Sequence, residues 1–134
     1  MHSQDKGDLS KSAIIFKLMK LGYKIAEPIG ENNRFDLIIY KKDLKFKTVQ
    51  CKTGKIINNA VKIPLASIVK NFKTKKWERR NYKNEIDFIC AYSPEIDKCY
   101  MIDEKSIGKS ILTLRIEKPK NNRSFIKWAK NYEI

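Results

Sequence analysis

Asp36, Gln50 and Lys52 are the residues whose types and spacing best suit attack on a phosphodiester. They fall in two alternating segments, 34–40 and 45–52, rich in aromatic and branched residues, which read as strands joined through the polar turn Lys41-Lys42-Asp43. Side chains alternate along a strand, so Asp36, Ile38 and Tyr40 share one face, and Phe46, Thr48, Gln50 and Lys52 share another. In a hairpin centred on Asp43, Tyr40 opposes Phe46, Ile38 opposes Thr48 and Asp36 opposes Gln50, with opposed Cβ atoms about 5 Å apart. A carboxylate, an amide oxygen and an ammonium then converge at one end of a sheet.

Phosphodiester hydrolysis needs hard oxygen ligands for Mg²⁺, with Mn²⁺ as a substitute, and a cation beside the attacking water or the phosphate. Asp36 supplies the anionic ligand, Gln50 a neutral carbonyl oxygen, and the backbone carbonyl of Cys51 a further one. Lys52 would orient the water or help to deprotonate it, and offset charge developing on the phosphate. An Asp, a Gln and a Lys also occur together on exposed sheet faces that do no chemistry. Spacing alone leaves both readings open.

The elements that must position these residues form a mixed α/β or α+β domain with one central sheet. A helix is expected over 8–21, where Leu9, Ala13, Phe16, Ile14, Leu18 and Leu21 make a broad apolar stripe and Gly22 is a plausible stop. A short strand over 60–65 places Val61, Ile63 and Leu65 on one face, and Pro64 suggests a sheet edge. The nearly continuous apolar run 86–92 reads as a strand covered on both faces, paired with 98–102; 112–116 is a further strand. No repeat or linker divides the chain, so 1–134 is read as a single domain.

The chain carries 29 Lys and Arg against 15 Asp and Glu, a net charge of +14. Such an excess attracts polyanions: DNA, RNA or an anionic membrane surface. No apolar run approaches the ~20 residues of a spanning helix and no apolar leader follows Met1, so a cytoplasmic protein is expected. Cys51, Cys90 and Cys99 are widely spaced and His2 is the one histidine, which argues against structural zinc and for reduced thiols. Between Lys70 and Lys83, seven basic residues alternate with Phe72, Trp77 and Tyr82. Read plainly this is a solvated helix face or loop; the interleaved aromatics favour nucleic acid, with Lys73, Lys75, Lys76, Arg79 and Arg80 on phosphates. Lys11 and Lys55 are further candidate DNA contacts.

The stretch from Gly30 to Ile39 with Phe35-Asp36, followed by Val49-Gln50-Cys51-Lys52-Thr53-Gly54, resembles the PD-(D/E)xK nucleases, in particular the branch of group I intron-encoded homing endonucleases. Lys6-Gly7-Asp8, Gly22-Tyr23, Pro28, the stretch 82–92, Pro94-Glu95, Leu114-Arg115, Asn121-Asn122 and Tyr132-Glu133-Ile134 extend the likeness over nearly the whole chain. The resemblance implies a central mixed sheet flanked by helices, and Mg²⁺-dependent cleavage of double-stranded DNA with Asp36, Gln50 and Lys52 on the motif positions. Two departures stand out. The acidic motif position is Gln50, and the first helix has Lys11 where many relatives carry Glu. Asp8 or Glu31 would have to replace that carboxylate. Asp8 equally suits a helix N-terminus, the preferred reading, and Glu31 an exposed loop.

Three functions follow: a site-specific endonuclease on duplex DNA, working as a homo-oligomer (dimer or tetramer) because one centre cuts one strand; a Holliday junction resolvase-like nuclease; or a basic DNA-binding protein with a decayed centre.

Overall fold

The computed structural model describes residues 1–30, 33–81, 85–108, 110–121 and 125–134, with backbone alone for 66–71 and 77–81. Helix α1 (Ser3–Lys20) leads into β1 (Lys24–Ala26), β2 (Leu37–Tyr40) and β3 (Lys47–Thr53). Then come β4 (Lys55–Ile57), β5 (Ala60–Pro64), β6 (Ala66–Asn71), β7 (Lys76–Asn81), β8 (Phe88–Ser93), β9 (Lys98–Asp103) and β10 (Ile111–Arg115). Five strands form a mixed sheet in the order β1-β2-β3-β8-β9, in which only β3 and β8 are parallel. The mixed α+β class is borne out.

The two faces of this sheet are covered differently. Ile14 and Leu18 of α1 pack on Leu37, Ile39, Val49, Cys90 and Cys99. On the opposite face, Ile89, Ala91, Tyr100 and Ile102 meet Val61, Ile63, Leu112 and Leu114 of a second, antiparallel sheet ordered β10-β5-β4. The expected single sheet between helices is therefore corrected to a helix on one face and a small sheet on the other. Three-residue β4 pairs against β5 and is too short to show a period in sequence. The chain terminus closes the β9 edge: Met101 N–H donates to Tyr132 and Ile134 N–H to Cys99.

The hairpin register is as expected, with Ile38 opposite Thr48 and Leu37 opposite Val49. Three other readings are corrected. The helix starts at Ser3 rather than Asp8, because His2 caps it by accepting from Gln4 N–H. Its buried line is Ser10, Ile14 and Leu18, while Leu9, Phe16 and Leu21 are exposed; a helix on a flat sheet buries one narrow row. Strand β5 is central rather than at an edge. Pro64 is tolerated because it lies beyond Lys62, the last β5 residue that β4 reaches, so its missing N–H removes no bond there. The basic segment forms a two-stranded hairpin, β6 with β7, turning at Lys75 with φ 57°.

Gly54 joins β3 to β4 where the two sheets meet. A Cβ there would lie 2.6 Å from Val61 Cγ1, inside contact distance of a stiff, fully buried branched side chain. Gly54→Ala is expected to cost about 1–3 kcal/mol by overpacking, and adding Val61→Ala to recover part of that loss. Urea unfolding of the two variants checks this; Gly54→Ala at wild-type stability would refute it.

Candidate active site

The pairing of β2 covers only part of β3. Its ladder begins at Leu37 opposite Val49, so from Gln50 onward β3 has no partner strand on that edge. Asp36 fills the gap. Its own N–H donates to the Val49 carbonyl at 2.9 Å, and its Oδ2 accepts from Cys51 N–H at 2.9 Å. The carboxylate thus serves as a surrogate acceptor for a strand N–H, which fixes it beside Gln50 and Cys51 and leaves Oδ1 for other partners. The expected facing pair of Asp36 and Gln50 is altered in this detail: Asp36 curls onto the strand edge instead of standing opposite Gln50 in a continued ladder.

Helix α1 lies across this sheet end. Ser10 is buried, and its Oγ lies 2.6 Å from Thr53 Oγ1, which pins the helix to β3 just after Lys52. Residues two before and one after that clamp, Asp8 and Lys11, line a cavity of about 420 Å³ together with Asp36, Gln50 and Cys51. Asp8 sits in the second turn of α1, not at its N-terminus, so the capping role preferred from sequence does not hold; Asp5 is the acid of the first turn. Asp8 Oδ1 accepts from Gln4 Nε2 at 3.3 Å. Lys11 Nζ is 3.3 Å from Glu27 Oε2, a half-exposed pair that solvent screens.

Gln50 Oε1 is buried and has no hydrogen-bond partner among the described residues. An unpartnered buried carbonyl costs about 1–3 kcal/mol, so its presence beside two carboxylates is the feature that best fits a group supplied from outside. Two carboxylates, an amide carbonyl and the backbone carbonyl of Cys51 make an all-oxygen donor set of the kind hard divalent cations take. Among the described residues no three His, Cys, Asp or Glu side chains cluster as a metal site, so the set depends on neutral oxygens. The Cys51 thiol belongs to the helix-side core. Burial, then Cys90, then Asp36 push its pKa well above the ordinary thiol range, so it stays protonated and offers no thiolate.

Lys52 follows Gln50 by two residues on β3 and pairs in register with Ala91, hence on the same strand face as Gln50 but outside the cavity lining. Lys55 lines a neighbouring cavity. Lys73, Lys75 and Lys76 are exposed around the β6–β7 turn beside Phe72, far along the chain from the acid cavity. Arg79 and Arg80 lie on β7, with side chains outside the described residues, and Glu31 lies outside them altogether. Ser3, Gln4 and Gly7 also line the cavity and were missed from sequence, because placing the helix start at Asp8 left them outside any element.

A family model described as PD-(D/E)XK endonuclease matches residues 1–134. The solved structure of a bacterial homing endonuclease, I-Ssp6803I, is similar over 99% of this chain and 89% of that one, with TM-score 0.76 and 24% identity. No curated protein matches.

Because Asp36 accepts from Cys51 N–H, its two simplest replacements should separate. Asp36→Ala strands that N–H and should cost at least about 1 kcal/mol, whereas Asp36→Asn keeps an acceptor oxygen and should stay near wild type. Thermal unfolding of the pair tests the bond, and equal stabilities would count against it.

Proposed function

Because the chain belongs to the PD-(D/E)XK endonuclease family, we propose that this nuclease cuts both strands of duplex DNA at specific sites, using a divalent cation, Mg²⁺ or Mn²⁺. The observation that carries the reading is the buried, unpartnered Gln50 carbonyl beside Asp36 and Asp8 in one cavity. PD-(D/E)XK nucleases generally use divalent metals, and the oxygens of Asp36, Asp8, Gln50 and the Cys51 backbone would hold one here. Such a cation acidifies water and offsets negative charge on a phosphate. That a fold neighbour is a bacterial homing endonuclease supports a site-specific mode.

The chain's own residues take distinct roles in this reading. Asp36 is fixed by Cys51 N–H, so its second oxygen meets the reacting centre without reorganising. Lys52 supplies the ammonium that orients the attacking water and takes up charge as the P–O bond breaks. Lys11, at the cavity wall, and Lys55, beyond it, contact backbone phosphates. The β6–β7 hairpin offers Lys73, Lys75 and Lys76 to the duplex, with Arg79 and Arg80 on its second strand. Two centres are needed for two strands, so the working form is a homo-oligomer. Exposed Leu9, Phe16 and Met19 on α1, with Leu21 at its C-cap, supply apolar surface for that association.

Cleavage is tested on a randomised duplex library with Mg²⁺ or Mn²⁺, by sequencing the cut ends. Asp36→Asn should remove cleavage, and Lys52→Ala should lower it on the order of 100- to 1,000-fold, while both keep duplex affinity. Gln50→Glu should stay active, since it places a carboxylate at the same reach. Wild-type protein that binds but never cuts, on the library or on a four-way junction, would leave a binding protein with a decayed centre. Sedimentation of a monomer alone, free and on a cleaved duplex, would remove the oligomer.

Replacing Lys73, Lys75 and Lys76 together by Ala should flatten the dependence of log affinity on log salt by about 0.9 for each phosphate no longer neutralised. An unchanged slope would take the hairpin off the DNA.

A further inference from the structure

A second cavity, of about 510 Å³, adjoins the acid cavity and shares Ser3 and Gly7 with it. The two are opposite in character. The first holds Asp8 and Asp36; the second is lined by Lys6, Lys55 and Lys62, with Thr53 and no acid among its described lining residues. Lys62 Nζ donates one N–H to Thr113 Oγ1 at 2.9 Å, which steadies its ammonium and leaves two donors. The remaining wall is apolar, formed by Pro64 and by Ile57 and Ile111, both exposed. A free anion gains nothing from such a wall. A sugar–phosphate strand does, because its sugar faces are apolar while its phosphates take the lysines.

Gly7 stands between the cavities as an interior residue of α1. Glycine weakens a helix interior relative to alanine, yet a Cβ at Gly7 would meet nothing within 4 Å. Packing therefore does not account for it. Open space over bare backbone, at the junction of two cavities, suits a ligand passing close to the helix.

We propose that the cleaved DNA strand leaves the acid cavity over the backbone of Gly7, and that the phosphate next to the scissile one is seated by Lys6, Lys55 and Lys62. This rests on the endonuclease reading for the identity of the scissile phosphate. The seat sets which bond reaches Asp36: holding the neighbouring phosphate fixes the register of the strand, so these lysines are positioning residues.

The test uses the full chain with Asp36→Asn, to prevent cutting, titrated against a mixed-sequence duplex across a salt series and followed in parallel by thermal unfolding. Gly7→Ala should melt at or above the parent temperature, and Gly7→Leu should remain folded while its affinity falls at least tenfold. Lys6→Ala/Lys55→Ala/Lys62→Ala should lower the salt slope by about 0.9, the loss of one phosphate contact. A stable Gly7→Leu variant with parental affinity, or a triple variant with the parental slope, overturns the proposal. Should Gly7→Leu fail to fold, the lysine slope alone decides. With Asp36 intact, these same substitutions should shift cut positions or lower cleavage. A wild-type chain that cuts nothing overturns the hydrolytic reading while leaving both binding results in place, so the two failures are told apart.

Discussion

The hydrogen bond from Cys51 N–H to Asp36 Oδ2 joins the acid to the strand that carries Gln50 and Lys52. It exists because β2 begins only at Leu37, opposite Val49, while β3 continues to Thr53, leaving strand N–H groups beyond that ladder. A carboxylate accepts such a bond more strongly than a neutral oxygen. One charge therefore closes the sheet edge and faces the cavity at once. The rest of the fold serves this junction: β8 holds β3 from its other side in parallel register, and α1 is pinned over the exposed end through Ser10 and Thr53.

Pinning the helix at Ser10 determines which of its residues reach the cavity. With Ser10, Ile14 and Leu18 turned to the sheet, Asp8 and Lys11 fall on the flank nearest the strand ends, and Gly7 follows one turn before Lys11. The same rotation turns Leu9 and Phe16 outward. A single buried row thus orders the acid cavity, the bare backbone between the two cavities, and an apolar outer surface.

How much of this could be read from sequence depended on the range of the signal. The β2–β3 register was legible because a slip by one residue would turn Leu37, Ile39 and Val49 away from the core, so the period of two admits one pairing. The neighbourhood of Asp36 and Gln50 came with it, while Lys52 falls outside the cavity lining. The helix start was not legible, since Asp8 followed by an apolar pattern imitates a cap whereas His2 is an uncommon one. The second sheet was hidden for a different reason: β4 and β5 are held by pairing and by burial against Ile89 and Tyr100, which no local window contains. Hairpin β6–β7 was hidden by its charge, because lysines and arginines are poor strand signals until two segments pair.

The substitution of amide for acid at position 50 has a physical logic of its own. A third carboxylate buried beside Asp36 and Asp8 would raise the pKa of one of the group or demand a permanent cation, since like charges in a low-dielectric site do not all ionise. Gln50 avoids that repulsion, and the residual cost is one carbonyl without a donor. Lys11 at the cavity wall shifts the balance the same way, lowering the negative charge that Asp8 and Asp36 present. Under the proposed reading, a divalent cation held by these oxygens would supply the partner that the Gln50 carbonyl lacks. The orphaned carbonyl is then the trace, in the folded chain alone, of an interaction that belongs to the complex.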